Sequence, residues 1–360
     1  MRVTVSSPGS PGSATARSAG TGRLIAAVAV VLLLAGVSLF VGVSDLDPLR
    51  VLTGTLTDVE RQTLVVSRLP RTISIVLAGA SIAIVGLVMQ MLVRNKFVEP
   101  ATAGTSESAA FGLLVVTIIS PGMPLVGKMV VAAVFALAGT MLFLRILRSI
   151  PLRSVIVVPL VGMMLGAVIA AVTTFIAYRR QMTQTLSSWL TGDFSGVIQN
   201  RYELLWLVAI AGILVYVMAD RFTVTGMGEE FTTNLGLNYR TAMNVGLGLV
   251  AVVTALVIVV VGSLPFLGLV VPNIVSRFVG DNLRRSLPWV ALLGAGFVLA
   301  CDILGRIVRF PYEVPIGVVV GLVGSGVFLY LLLYEPRDRR EVRARRPARA
   351  RARATEVDAR

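Results

Sequence analysis

The sequence predicts an all-α polytopic membrane protein with about ten transmembrane helices. Three observations carry that prediction: 56% of the 360 residues are hydrophobic, only 14% are charged, and the apolar residues gather in long runs. A soluble domain is about 45–50% apolar and about a quarter charged. The apolar share comes to roughly 200 residues, enough for ten helices of about 20 residues each. Mean hydropathy is correspondingly high, at +0.85. There is no histidine and a single cysteine, Cys301. The composition rules out a soluble enzyme, and without histidine or a second cysteine zinc sites, Cys/His nucleophile pairs and intrachain disulfides are excluded as well.

Residues 1–22 are Ser, Gly, Thr, Ala and Pro with few large apolar groups, and are expected to form a disordered tail. Arg23 then opens the apolar run Leu24–Val43, too long for a signal-peptide core of about 7–15 residues and so expected to be a retained span. Further runs fall at 72–93, 101–119, 126–144, 154–177, 203–219, 241–262, 264–279, 287–305 and 315–334, the third and eighth being short or interrupted. Between the fifth and sixth lies Tyr178–Tyr202, where Leu186, Trp189 and Leu190 have the spacing of a short interfacial helix. The transmembrane domain is expected over 23–335, followed by an Arg-rich tail over 336–360.

Orientation follows from charge. Counting Lys and Arg in alternate loops gives 23 on the side of the two termini and 10 on the other, which places both termini in the cytoplasm. The tail from Glu335 to Arg360, with ten Arg and five acids, is read as an anchor on anionic lipid. The net charge of +14 is not read as nucleic-acid binding, because the basic residues punctuate apolar segments and form no basic face on a soluble fold.

Few residues offer chemistry. Gly122-Met-Pro-Leu-Val-Gly127-Lys128-Met129 is similar to a phosphate loop but has Met where the magnesium-binding hydroxyl belongs, and no strand precedes it. No cofactor is expected in this chain; ATP and magnesium, if used, belong to another polypeptide. Ionisable groups inside spans cost about 2.5–3.5 kcal/mol or more, which singles out Glu107, Asp302 and Arg306. Asp302 and Arg306 are four residues apart, on one helix face, and form either a structural ion pair or a relay. Glu107 is either a path residue or an interfacial one. Gly317 with Gly321, and Gly246 with Gly248, are expected to admit close helix approach, and Pro159, Pro272 and Pro315 to give kinks. In the loop 220–240, Phe231, Leu235 and Leu237 form an apolar ridge beside Glu229 and Glu230, and Gly236 can end a short helix there. The acidic pair disfavours anionic lipid, so a protein partner is expected. A bare-metal path would use His, Cys or several carboxylates, whereas this inventory suits a chelated cargo.

Several segments together resemble the FecCD-type permeases: Arg68-Leu-Pro-Arg71, Gly79-Ala, Gln90, Arg94-Asn95 with Pro100, Phe266 through Pro272-Asn273 to Arg277, Asp302-Ile-Leu-Gly-Arg306, Glu313-Val-Pro-Ile-Gly317, and Gly228-Glu-Glu through Leu235-Gly236. They run in the family's order from about residue 60 to 334. The resemblance implies the permease subunit of a type II ABC importer in a bacterial cell membrane, moving iron–siderophore, haem or vitamin B12 by alternating access. It implies pairing with a second protomer, identical or paralogous, two cytoplasmic ATPases and an extracytoplasmic binding protein. By the same resemblance, Gly228, Glu229, Glu230, Phe231, Leu235 and Gly236 couple to the ATPases, and Arg68, Arg71 and Arg306 dock the binding protein. Gln90, Asn95, Phe97 and Glu107 are placed along the path or its gate. The variant Asn95-Lys-Phe-Val-Glu-Pro100 is similar to the branch handling ferric siderophores, including catecholate types. The competing reading is a proton-coupled secondary transporter of a small organic solute, using Glu107 or the Asp302/Arg306 pair.

Overall fold

The computed structural model describes residues 12–42, 47–149, 157–199, 202–203, 205–280 and 282–333. Each of the ten apolar runs is helical. The first is α1 (Gly12–Phe40), and two short helices, α2 (Pro48–Thr53) and α3 (Asp58–Gln62), lead through a π-helical turn at Thr63–Arg68 into α4 (Leu69–Val93). Thr57 starts α3 with a reciprocal cap to Glu60. Then come α5 (Thr105–Ile119), α6 (Leu125–Ser149) and α7 (Val157–Arg179). The expected interfacial helix is α8 (Thr183–Leu190), with Leu186 buried. The sixth run is α9 (Leu205–Val217), which bends by 63° into α10 (Ala219–Thr225). After α11 (Glu229–Asn234) follow α12 (Tyr239–Val261), α13 (Leu267–Val279), α14 (Leu283–Ile307) and α15 (Ile316–Leu333).

Seven of these helices are long and apolar enough to cross a membrane, and α9 with α10 makes an eighth. The third and eighth runs, α5 and α13, have 15 and 13 residues. Those lengths fall short of the roughly 17–25 residues a crossing needs. Their ends therefore lie within the bundle, and their backbone groups must find partners there.

Two expectations are corrected. Helix α1 begins at Gly12, inside the stretch expected to be disordered. Ala14, Ala16, Arg17 and Ala19 are good helix formers, and extending a helix already nucleated by the apolar run gains one bond per residue. The arginine-rich tail of 336–360 lies outside the described residues, as do residues 1–11. The second correction concerns Gly248: a methyl group added there would meet no neighbouring element within 4 Å, so within the protomer it is no packing glycine.

The core is organised about α4. Its span is 72% buried, against 6% for α1, and it packs against α9, α12, α13 and α14. Where α4 crosses α14 the two backbones touch: a methyl group on Gly79 would stand 2.8 Å from the Gly294 carbonyl oxygen. Gly79→Ala is expected to cost about 1–3 kcal/mol through overpacking. Gly248→Ala, with open space around it, should be neutral or stabilise by about 0.5–1 kcal/mol. Melting temperatures of the two purified variants check the contrast; equal values would refute the close crossing.

Candidate gate and coupling site

At one end of the bundle α1, α4 and α14 are tied by buried charges. Asp302 on α14 accepts from Arg71 on α4, with Oδ1 2.9 Å from Nη2, and its Oδ2 is paired with Arg306. Ser38 on α1 donates its hydroxyl to the same Oδ2 at 3.1 Å. Arg71 also reaches Glu313, Nη1 to Oε2, at 2.7 Å. The last carbonyls of a helix have no intrahelical donors and carry its negative dipole end. Arg306 donates to two such oxygens around the end of α1, those of Ser38 at 3.0 Å and Val41 at 2.8 Å, and Arg68 also donates to Val41. Asp302 and Arg306 are thus ion-paired along one face of α14, as their spacing allows.

Arg68, Arg71 and Arg306, the expected docking arginines, have exposures of 7%, 8% and 4% in the protomer. They are held by Asp302, Glu313 and backbone oxygens. Arg50, Arg61 and Arg309, together with Phe310 and Tyr312, are exposed near the same end of the helices.

The other end of α4 carries the expected gate. Arg94 ends the helix in the left-handed region at φ 57, and the Asn95 N–H closes the last turn on the Gln90 carbonyl at 2.9 Å. Asn95 Oδ1 then accepts the Phe97 N–H at 2.8 Å, a local turn that aims the next side chain. Gln90 Nε2 donates to the Gly268 carbonyl at 3.1 Å. Phe97 is 36% exposed and meets Phe328 of α15 edge-on, with ring centres 6.1 Å apart. Gln90, Asn95 and Phe97 are therefore brought together. Glu107 stands apart from them in the first turn of α5, against Gly166 of α7, and its Oε2 has no hydrogen-bond partner among the described residues.

Glu99 was missed by the sequence reading. It is 4% exposed, and its carboxylate accepts the Phe266 N–H at 3.2 Å. Burial pushes this loop carboxyl up to about 7, against the backbone hydrogen bonds that favour its charged form. Asn273 donates Nδ2 to the carbonyls of Lys96 and Leu269, each at 2.8 Å. An acid directly before Pro100 reads as a loop residue, so no local signal marked it.

The segment expected to couple to the ATPases is a compact turn–helix–turn. Gly228 at φ 118 and Gly236 at φ 77 take backbone conformations that a side chain would strain, and between them runs α11. Glu229 and Glu230 sit in its first turn, where the helix dipole favours acids, and both are exposed. Thr232 points inward and donates its hydroxyl to the Gly228 carbonyl at 2.6 Å. Phe231 and Leu235 are 49% and 57% exposed; Leu237 is half-buried, so the apolar ridge is formed mainly by the first two. A methyl group on Gly228 would stand 3.1 Å from Arg94 Nη1, and one on Gly226 3.2 Å from the Met91 carbonyl. The C-terminal end of α4 thus rests on the segment 226–236. A cavity of about 320 Å³ opens between them, lined by Gln90, Arg94, Asn95, Thr223 and Met227 among others.

Residues 28–334 match the model of the FecCD transport family. The chain belongs to the FecCD transport family. Among FecCD relatives, the petrobactin import system permease protein YclN of Bacillus subtilis (strain 168) is 54% identical over 305 residues, covering 84% of this chain and 96% of its own. The petrobactin import system permease protein FatD of Bacillus anthracis is 43% identical over 320 residues, 89% of this chain and 93% of its own. A solved inward-facing conformation of a metal-chelate type ABC transporter shares the fold with a TM-score of 0.75 at 22% identity, over 87% of this chain and 99% of the other. As a FecCD protein this chain is a multi-pass ABC permease, a transport subunit and not a catalytic one.

Proposed function

We propose that this chain carries a ferric siderophore of the petrobactin kind inward across a bacterial cell membrane, as one of two permease protomers in an ABC importer. The observation that carries the reading is the 54% identity, across 84% of the chain, to a petrobactin permease. Energy enters from two cytoplasmic ATPases, which bind ATP and magnesium and dock on Gly228–Gly236 through Phe231, Leu235 and the Glu229/Glu230 pair. Gln90, Asn95 and Phe97 form the inner constriction of the path. A binding protein delivers cargo at the opposite end, on the surface bearing Arg50, Arg61 and Arg309, and both termini lie in the cytoplasm. The contact of Arg94 with Gly228 supports this division of labour, since it joins the coupling segment to the constriction within one helix end.

The test is reconstitution in proteoliposomes with the ATPase and the binding protein. Ferric petrobactin carrying radioactive iron should accumulate only when Mg-ATP is present on the ATPase side. Accumulation by the permease without any ATPase would instead support the proton-coupled reading. Failure of the complete complex to accumulate ferric petrobactin would overturn the cargo assignment.

A further inference from the structure

A helix that starts inside an apolar bundle has N–H groups without intrahelical acceptors, and lipid supplies none. At the start of α13 the preceding residue is Phe266, at φ 62, whose side chain has no acceptor to offer. Glu99 fills that role from 167 residues away: Oε1 accepts the Phe266 N–H, and the N–H groups of Gly268 and Leu269 also hydrogen-bond to the carboxylate. The bonds from Gln90 to Gly268 and from Asn273 to Lys96 join the same two segments on either side of Asn95 and Phe97. Behind the carboxylate lies a cavity of about 20 Å³, bounded by Ser106, Thr254 and Ser263. Thr254 is 2% exposed, and its hydroxyl has no partner among the described residues. The space suits one water, which needs about 10–15 Å³ and two or more polar neighbours.

We infer that Glu99 is a positioning residue for the constriction: by accepting the first N–H groups of α13 it fixes the loop that carries Asn95 and Phe97, and one water behind it links it to Thr254. The inference rests on the reading of Asn95 and Phe97 as the inner constriction. Glu107 of α5 is the charged group acting on Glu99; α12 presents Thr254, the turn before α13 presents Ser263, and α4 presents Ile82. The carboxylate caps more strongly when charged. Because burial raises its pKa to about 7, the clip tightens as pH rises through that value.

The test uses the assembled transporter in proteoliposomes, with Cys301→Ser and Phe97→Cys introduced and the new thiol labelled by a water-soluble maleimide. Adding Glu99→Ala should speed labelling at least about tenfold, the change expected from losing even one of its three charge-assisted hydrogen bonds. Glu99→Gln keeps one acceptor and cannot titrate. The labelling rate with Glu99 intact, divided by that of Glu99→Gln, should therefore fall as pH rises through about 7. Unchanged labelling in Glu99→Ala would overturn the inference, and so would a ratio that is flat with pH. If Glu99→Ala fails to assemble, the pH ratio alone decides. Labelling is read without cargo, so failure to transport ferric petrobactin would leave this result standing.

Discussion

Asp302→Ala is expected to destabilise the protein by about 3–5 kcal/mol, because it leaves buried arginines without their counter-charge. Arg71 and Arg306 both lean on this one carboxylate, which is itself 0% exposed, and the Ser38 hydroxyl loses its acceptor at the same time. Asp302→Asn keeps the volume and one acceptor and should cost less. The readouts are the melting temperature of the purified permease and its yield from membranes. A melting temperature within error of the parent would show that the network does not hold α1, α4 and α14 together.

Changing Glu229 and Glu230 together to Lys should lower siderophore uptake about a hundredfold, since like charges facing one another across an interface cost several kcal/mol. Both residues are exposed in the first turn of α11, where new positive charges also oppose the helix dipole. Membrane insertion should be unaffected, because neither side chain is buried. Added salt should restore part of the uptake by screening. ATP hydrolysis by the reconstituted complex, measured beside uptake, separates the alternatives. Hydrolysis that persists while uptake falls is the expected outcome, and unchanged uptake would remove the pair from the coupling surface.

The helices were legible because a span needs little more than a run of apolar residues, and all ten runs fold as helices. The Asp302–Arg306 pair was legible too, since four residues along a helix is a local spacing. What completes that cluster was not. Arg71, Ser38 and Glu313 reach it across separations of 231, 264 and 242 residues in the chain. The same limit hid Glu99, whose acceptor role exists only because α13 begins in the bundle beside it. The glycines were partly legible. Gly246 packs closely, against Leu92 of α4, as its place on an apolar helix suggested, whereas the backbone crossings of Gly79 with Gly294 and Gly86 with Gly268 join helices far apart in the chain and left no local sign. The local structure of 228–236 was legible, because its signals are local: two glycines bracketing a six-residue helix with acids first.

The glycine crossing has a mechanical meaning. From Gly79 to Arg94 is 15 residues of chain, nearly all within α4. At 1.5 Å per residue they make an arm of about 22 Å from the crossing to the segment around Gly228. If the Gly79–Gly294 contact acts as a fulcrum, a tilt of roughly 5° would swing the far tip by about 2 Å. A displacement of that size is comparable to the radius of a side-chain ring, so a rigid rod on such a bearing can turn a slight push below into the opening of an aperture.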